Sequence, residues 1–321
     1  VAKIDDVHAK LRDLAQASPL MPVPLPLCQR HGITLYCKRD DLIHGEISGN
    51  KWRKLKYGLL YAAERELTHL LSFGGAFSNH IAALAAAGHH FGFTTTGIIR
   101  GEPDAANPTL KRAAELGMKL HFVDRQTYRR RHEPEYLEQL QRQHRNTLIL
   151  PEGGSHALAL PGVGEILTEI DIEYDSLITA VGSGGTLAGL IAADQGKHQL
   201  LGIPVVKDNS LAARIQRLVA EQAPHYQAAP SHWQLLHGYS AGGYGKVPAT
   251  LQQELIELAQ HCPIPLEPVY TGKAFLALMS LIKEGYFPAG HKIIFLHTGG
   301  LQGLAGLAYR GLFQMPNTKP N

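Results

Sequence analysis

Lys51 lies in the stretch Ser48-Gly49-Asn50-Lys51-Trp52-Arg53-Lys54-Leu55-Lys56, where a Gly-Asn turn hands over to a helix with apolar residues at Leu55, Leu59, Leu60, Ala62 and Ala63. A cation in a first helical turn opposes the macrodipole, which favours anions at that end. Such a lysine is either a solvated surface charge or an amine whose proton the fold is built to remove. Burial and nearby positive potential do the second, and they make the lysine a nucleophile for Schiff-base chemistry. A second constellation, Gly182-Ser183-Gly184-Gly185-Thr186, suits an anion. Its glycines let the backbone approach closely, successive N–H groups point inward, and the next helix presents its positive end. Ser183 and Thr186 add hydroxyl donors. The alternative is an ordinary strand-to-helix turn, where glycine is common. The loop lacks the Gly-Lys-Ser/Thr ending of a mononucleotide site, and Leu187 stands where a dinucleotide fingerprint has its third glycine.

Two further segments share the format of strand, glycine turn and helix: Ser72-Phe-Gly-Gly-Ala-Phe77-Ser78-Asn79-His80 and Phe295-Leu-His297-Thr298-Gly-Gly300. In a parallel sheet such turns gather at the carboxyl ends of the strands, where ligands bind. The elements that must carry them follow an alternating α/β pattern. Strands are expected at Thr34–Lys38, His69–Phe73, Thr94–Ile99, Leu120–Val123, Thr147–Leu150, Leu177–Ala180, Leu200–Val205 and Lys292–His297. Helices are expected at Lys51–Arg65, Ser78–Ala87, Pro108–Leu116, Leu187–Ala193, Leu211–Ala220 and Ala249–Gln260. No repeat, low-complexity run or Pro/Gly/Ser-rich linker divides the chain, so a second domain would be inserted into the first.

Composition narrows the function classes. With 321 residues and 44% hydrophobic content, the chain can bury one large or two medium cores. No apolar run reaches the roughly 18 residues of a membrane span, and no signal-peptide pattern opens the chain. Cys28, Cys37 and Cys262 show no Cys-x-x-Cys spacing, which fits a reduced, cytoplasmic protein. The net charge of +3 is dispersed, and the one dense basic run, Arg129-Arg130-Arg131-His132, is followed at once by Glu133, Glu135 and Glu138. That pattern reads as a solvated loop and helix start and not as a nucleic-acid surface. The 18 histidines form no metal-ligand spacing, so no metal is expected.

The inventory is a lysine at a turn, a phosphate cradle without a nucleotide lysine, a Ser-Asn turn and a Gly-Gly turn carrying Thr298. A phosphorylated cofactor held by backbone amides and bonded to a lysine accounts for all of them. Ser48-Gly-Asn-Lys51, Ser78-Asn79, Gly182–Thr186, Pro268-Val-Tyr270-Thr271-Gly-Lys-Ala274 and His297-Thr-Gly-Gly300 resemble the pyridoxal-phosphate enzymes of fold type II. Within these, the chain is similar to the aminocyclopropane-carboxylate deaminases and D-cysteine desulfhydrases, from about Pro22 to Leu307, and most closely resembles the desulfhydrases. The resemblance implies two open, twisted, mainly parallel sheets flanked by helices, with pyridoxal 5'-phosphate in the cleft between a large domain (1–47 and 155–321) and a small inserted domain (48–154). It also implies a homodimer acting on a small amino acid.

By that resemblance Lys51 carries the cofactor, Asn79 bonds its ring hydroxyl, and Gly182, Ser183, Gly184, Gly185 and Thr186 hold its phosphate. Ser78, with the amide of Asn79, receives the substrate carboxylate. Tyr270 and Tyr244 lie beside the substrate, although Tyr244 equally suits a loop-packing role. The deaminases place a glutamate after the motif tyrosine and a leucine before the late Gly-Gly pair, where this chain has Thr271 and Thr298. A carboxylate against the pyridine nitrogen holds a proton there and makes a strong electron sink. A threonine hydroxyl bonds the nitrogen without holding charge, which suffices when thiolate leaves the β carbon. The expected reaction is therefore β-elimination from D-cysteine to pyruvate, ammonia and hydrogen sulfide, with Lys51 removing the α proton and Tyr270 protonating sulfur or assisting at the α carbon. Alternatives are aminocyclopropane-carboxylate deamination, elimination from another β-substituted D-amino acid, a non-catalytic amino-acid binder, and a dinucleotide oxidoreductase with Asp208 on the ribose. Ser48 replaces a family glycine, and Phe77 replaces a family glutamine beside the carboxylate site. The run Lys38-Arg39-Asp40-Asp41 also matches the family and is expected to serve packing and salt bridges.

Overall fold

The computed structural model describes residues 4–313 apart from 15, 48, 228 and 230, so the Ser48 substitution lies outside the described residues. Strands β1 (Leu20–Pro22) and β2 (Thr34–Arg39) open a six-stranded sheet. Strands β3 (His69–Gly75), β4 (Thr94–Arg100), β5 (Lys119–Val123) and β6 (Thr147–Ile149) then form a second sheet, in the order β5-β4-β3-β6. The chain returns to the first sheet with β7 (Ser176–Val181), β8 (Gln199–Pro204), β9 (Trp233–Leu235) and β10 (Lys292–His297). The six-stranded order is β1-β2-β10-β7-β8-β9, antiparallel only between β1 and β2. The four-stranded sheet is parallel throughout and arises from one continuous stretch between β2 and β7.

Both faces of each sheet are covered, which is why the strands read as nearly unbroken apolar runs. In β10, Ile293 and Phe295 face one core with the helices Ala249–Ala259 and Thr271–Lys283. Ile294 and Leu296 face another core, under the helices Leu160–Thr168, Gly185–Asp194 and Leu211–Gln222. In the second sheet, Leu70 and Ile99 point to the helices Asn50–Glu64 and Asn79–Phe91, whereas Leu71, Phe73 and Ile98 meet Tyr128, Tyr136 and Leu140. The helix Ile4–Asp13 belongs with this second core, since Val7 and Leu11 bury themselves beside Trp52 and Leu84. It therefore packs with the inserted stretch and not with the large sheet, where the 1–47 boundary would place it. Among the described residues no helix is long and apolar enough to cross a membrane.

The charged run 38–41 ties these layers together. Lys38, fully buried, donates 2.5 Å to the Ser18 carbonyl and 2.7 Å to Glu169. Arg53 bridges Asp40 at 3.0 Å and Glu169 at 2.5 Å, and Arg39 pairs with Asp41 at 2.7 Å. This network joins the end of β2 to the helix bearing Lys51 and to the end of the helix Leu160–Thr168.

Candidate active site

The turns after β3, β6, β7 and β10 open at the strands' carboxyl ends into one cleft of roughly 1310 Å³. The turn before Lys51 is fixed by contact with the turn after β10. Gly49 has φ +66°, and a Cβ built there would stand 2.0 Å from the Thr298 carbonyl oxygen. The Asn50 N–H donates 3.1 Å to that same oxygen. The Asn50 side-chain amide donates 2.9 Å to Thr186 Oγ1. Lys51 thus projects from the first helical turn into the cleft, partly open to it but surrounded by protein. Burial disfavours its ammonium form and brings its pKa down to about 8.

The phosphate-type loop is a backbone cradle. Gly184 has φ +94°, and a Cβ there would strike Ile215 at 2.9 Å. A Cβ on Gly185 would lie 2.4 Å from Ser155 Oγ, and the Gly185 N–H donates 3.1 Å to that oxygen. Ser155 and Ser183 share a 2.6 Å hydroxyl contact. Gly182, Ser183, Gly184 and Thr186 line the cleft, while Gly185 is turned to Ser155. Lys54, one turn beyond Lys51, is buried beside this loop. Its Nζ donates 3.0 Å to the Gly153 carbonyl and 3.0 Å to Ser155 Oγ, with Ser183 Oγ at 3.4 Å. Burial, and then the charge of Lys51, pushes the Lys54 ammonium well down. The i, i+3 spacing of the two lysines was the available signal for Lys54, and the sequence reading passed over it.

Ser78 caps the helix Asn79–Phe91, its Oγ accepting from the Ile81 N–H at 3.3 Å, and both Ser78 and Asn79 line the cleft. The Asn79 amide reaches the last turn, since its Nδ2 would lie 3.1 Å from a Cβ on Gly300. Phe77 packs under the helix Gly303–Tyr309, where a Cβ on Gly306 would meet it at 2.6 Å. The Tyr270 ring lies across Gly182, 3.0 Å from a Cβ built there. Tyr244 meets it edge to face at 5.8 Å, and half of its side chain remains exposed at the cleft wall. Burial, then the neighbouring Tyr244, pushes the Tyr270 hydroxyl well up, so it stays protonated.

The two threonines divide. Thr298 lines the cleft. Thr271 is completely buried and is not among the lining residues. Its hydroxyl accepts from the Glu267 N–H at 3.1 Å and donates to Glu267 Oε1 at 3.1 Å, so it is not free for a ring nitrogen. Glu267, which the sequence reading overlooked, lines the cleft instead. Its carboxylate accepts from the N–H groups of Val269, Tyr270 and Thr271 at 2.7, 2.8 and 2.7 Å. Burial raises its pKa, and those bonds pull it partly back. A carboxylate that caps the helix from four residues before Thr271 resembles an ordinary loop acid in sequence.

The residues fit a phosphorylated pyridoxal. The glycine loop leaves no room for side chains, and Lys54 stands buried beside it. His80 Nδ1 and His156 Nε2 are buried without a partner, and both histidines line the cleft. Comparison with known proteins points to the same cofactor. A model of pyridoxal-phosphate dependent enzymes matches residues 12–299. A putative 1-aminocyclopropane-1-carboxylate deaminase of Pyrococcus horikoshii is 32% identical over 85% of this chain and 86% of its own length. A bifunctional D-cysteine desulfhydrase/1-aminocyclopropane-1-carboxylate deaminase of Arabidopsis thaliana is 28% identical, covering 85% of this chain and 74% of its own. The crystal structure of an ACC deaminase homologue superposes with a TM-score of 0.81 at 28% identity, over 97% of this chain and 98% of that one. The chain is a pyridoxal-phosphate-dependent enzyme of the family that holds the 1-aminocyclopropane-1-carboxylate deaminases and D-cysteine desulfhydrases.

Proposed function

We propose that the enzyme is a D-cysteine desulfhydrase, releasing pyruvate, ammonia and hydrogen sulfide. The observation that carries this reading is Thr298 at the cleft wall, docked through its own carbonyl on the turn that presents Lys51. In this reading Gly182–Thr186 and Lys54 hold the phosphate, Asn79 bonds the ring hydroxyl, and the Thr298 hydroxyl meets the ring nitrogen without fixing a charge there. The cofactor supplies an electron sink for the pair left at the α carbon. Ser78 Oγ and the first N–H groups of the helix Asn79–Phe91 receive the substrate carboxylate. The Lys51 amine, held near neutrality by burial, takes the α proton. Tyr270, held in its protonated form, donates to the departing sulfur, and Tyr244 closes the side of the pocket above it. The packing of Phe77 under the helix Gly303–Tyr309 narrows the carboxylate end of the pocket.

Glu267 favours a second reading, ring opening of 1-aminocyclopropane-1-carboxylate, because it sets a buried carboxylate at the cleft wall against Gly300. Sulfide release from D-cysteine, measured beside 2-oxobutyrate release from the cyclopropane acid, separates the two. Sulfide at the higher kcat/KM is the expected result; oxobutyrate alone reverses the assignment. Lys51→Ala is expected to be colourless and inactive on both substrates.

A further inference from the structure

Lys273 follows Tyr270 by three residues, on the first turn of the helix Thr271–Lys283, and is almost completely buried. Among the described residues it has no ion-pair partner, and its Nζ donates one hydrogen bond, 2.9 Å to the Gly243 carbonyl. Burial brings its pKa down to about 8, and the charge of Glu267 pulls it partly back up. An ammonium left with a single carbonyl is a costly way to fill a core, and an apolar side chain of equal length would pack there without that desolvation. Helix packing therefore does not require the amine. What the amine adds is its hold on Gly243.

Gly243 belongs to a loop with little to hold it locally. Ala241, Gly242, Gly243 and Gly245 have φ of +49°, +92°, +119° and +67°, so the backbone runs through the left-handed region on both sides of Tyr244. Glycines enter and leave that region at no steric cost. The loop's own bonds are short turns, from the Gly243 N–H to the Ser240 carbonyl at 3.0 Å and from the Lys246 N–H to the Gly243 carbonyl at 3.2 Å. Among the described residues, the Lys273 bond is the one that reaches the backbone of residues 238–246 from outside. The side chain this loop presents is Tyr244, which meets Tyr270 edge to face at 5.8 Å. One helical turn thus follows directly on Tyr270 and also grips the loop that lays a second ring on it. An edge-to-face pair is weaker than the entropy of fixing even a few loop residues, so ring contact alone does not order the loop.

We propose that Lys273 is a positioning residue for the reaction: its buried amine latches the loop Gly242–Gly245 and so keeps the Tyr244 ring on Tyr270 while the substrate reacts. This rests on the reading above in one respect, that the Tyr270 hydroxyl faces the departing group. A latched Tyr244 covers the flank of Tyr270 and holds its hydroxyl in one direction for the step that passes its proton to the departing sulfur. An unlatched loop lets the Tyr244 ring swing into solvent and opens that flank to water. Substrate still binds at Ser78, so the loss falls on kcat more than on KM.

The test uses the holoenzymes of Lys273→Met, Tyr244→Ala and the double variant, with sulfide release from D-cysteine and hydrogen exchange read by mass spectrometry. Each single substitution is expected to lower kcat about tenfold, with KM moved by less than about threefold and cofactor absorbance retained. The double variant should lose no more than the worse single one, because both substitutions remove the same ring contact. Peptides covering residues 238–248 should exchange about ten times faster or more in Lys273→Met, while those of the helix Thr271–Lys283 keep their protection. Full kcat in Lys273→Met overturns the inference, as do losses that multiply to about a hundredfold in the double variant. Unchanged exchange in the loop overturns it too, and loss of protection in the helix does the same by giving Lys273 a structural role. Lys273→Gln carries the same test should the methionine variant not fold, and failure of both to fold overturns the latch. Absence of sulfide from the wild-type enzyme removes the D-cysteine reading instead, and the exchange experiment, which needs no substrate, still decides the latch.

Discussion

Two lysines one helical turn apart line the cleft, and in the proposed reading their positions divide the labour of holding an aldehyde and a phosphate. Lys51 must be a free amine to attack a carbonyl, and burial lowers its pKa to about 8. The lower values are reached because the folded protein disfavours the charged form, so the reactive fraction grows as pH rises and saturates once the amine is neutral. The rate of pyridoxal-phosphate capture by the apoprotein should rise about tenfold per pH unit below 8 and level off above it. Stopped-flow absorbance measures this, and a rate still climbing at pH 10 contradicts the lowered value. Lys54 has the opposite task, since a phosphate beside it favours its ammonium. Lys54→Met should raise the cofactor's dissociation constant by about 10- to 100-fold, the worth of one charge-assisted hydrogen bond, as read by equilibrium dialysis. Lys51, Ser78, Asn79, Tyr270 and the glycine loop were legible in the sequence because each sits in a turn with distinctive residues. Glu267 was not, because a glutamate before a proline carries no local sign of burial, and Lys54 offered only its i, i+3 spacing from Lys51. Thr271 shows the converse failure: adjacent to a motif tyrosine, it nevertheless points its hydroxyl backward to Glu267.

At the scale of elements, the strands were the more legible part. Lys292–His297 is observed over its expected span, and the other expected strands differ only at their ends. Several helices were missed, and Leu160–Thr168 shows why. Pro161, Gly162 and Gly164 argue against a helix on propensity, Gly alone costing about 1 kcal/mol relative to Ala in a helix interior. Tertiary packing reverses that, because a Cβ on Gly162 would lie 2.1 Å from the Arg53 carbonyl oxygen and one on Gly189 would lie 2.6 Å from Val163. The helix carrying Lys51 and the helix following the phosphate loop both approach Leu160–Thr168 at backbone distance. The short β1 and β9 were missed because Leu20-Met-Pro22 sits among prolines and Trp233-Gln-Leu235 alternates only once, whereas the equally short β6 lies in the apolar run Thr147–Leu150. The turn that positions Lys51 depends on the same kind of close approach. Gly49→Ala combines a glycine-only backbone conformation with a clash against the Thr298 carbonyl. It should cost at least ~2 kcal/mol in urea unfolding and displace the lysine enough to abolish cofactor absorbance. An alanine variant that keeps full absorbance would show that the turn can shift freely.

Across the whole molecule, charge is distributed unevenly. By formal charge the cleft is more positive than the chain as a whole, so the rest of the chain is negative in sum. Association of pyridoxal phosphate with the apoprotein should slow several-fold between about 20 and 200 mM salt, as the Debye length contracts from about 20 Å to below 10 Å. Stopped-flow rates across that range provide the measurement, and a flat response would show the cleft's charges to be internally compensated. The order of strands has a further consequence, this time for biosynthesis. The four-stranded sheet and its helices come from one uninterrupted stretch, so most of that unit can assemble as soon as the stretch leaves the ribosome. The six-stranded sheet cannot do so: β10 is inserted between β2 and β7 and is the last strand to emerge. Until then β2 and β7 have no common neighbour, and the turn bearing Lys51 lacks the Thr298 carbonyl on which it rests. A nascent chain paused before Lys292 should therefore carry a nearly finished smaller unit and retain pyridoxal phosphate less well than the full chain does.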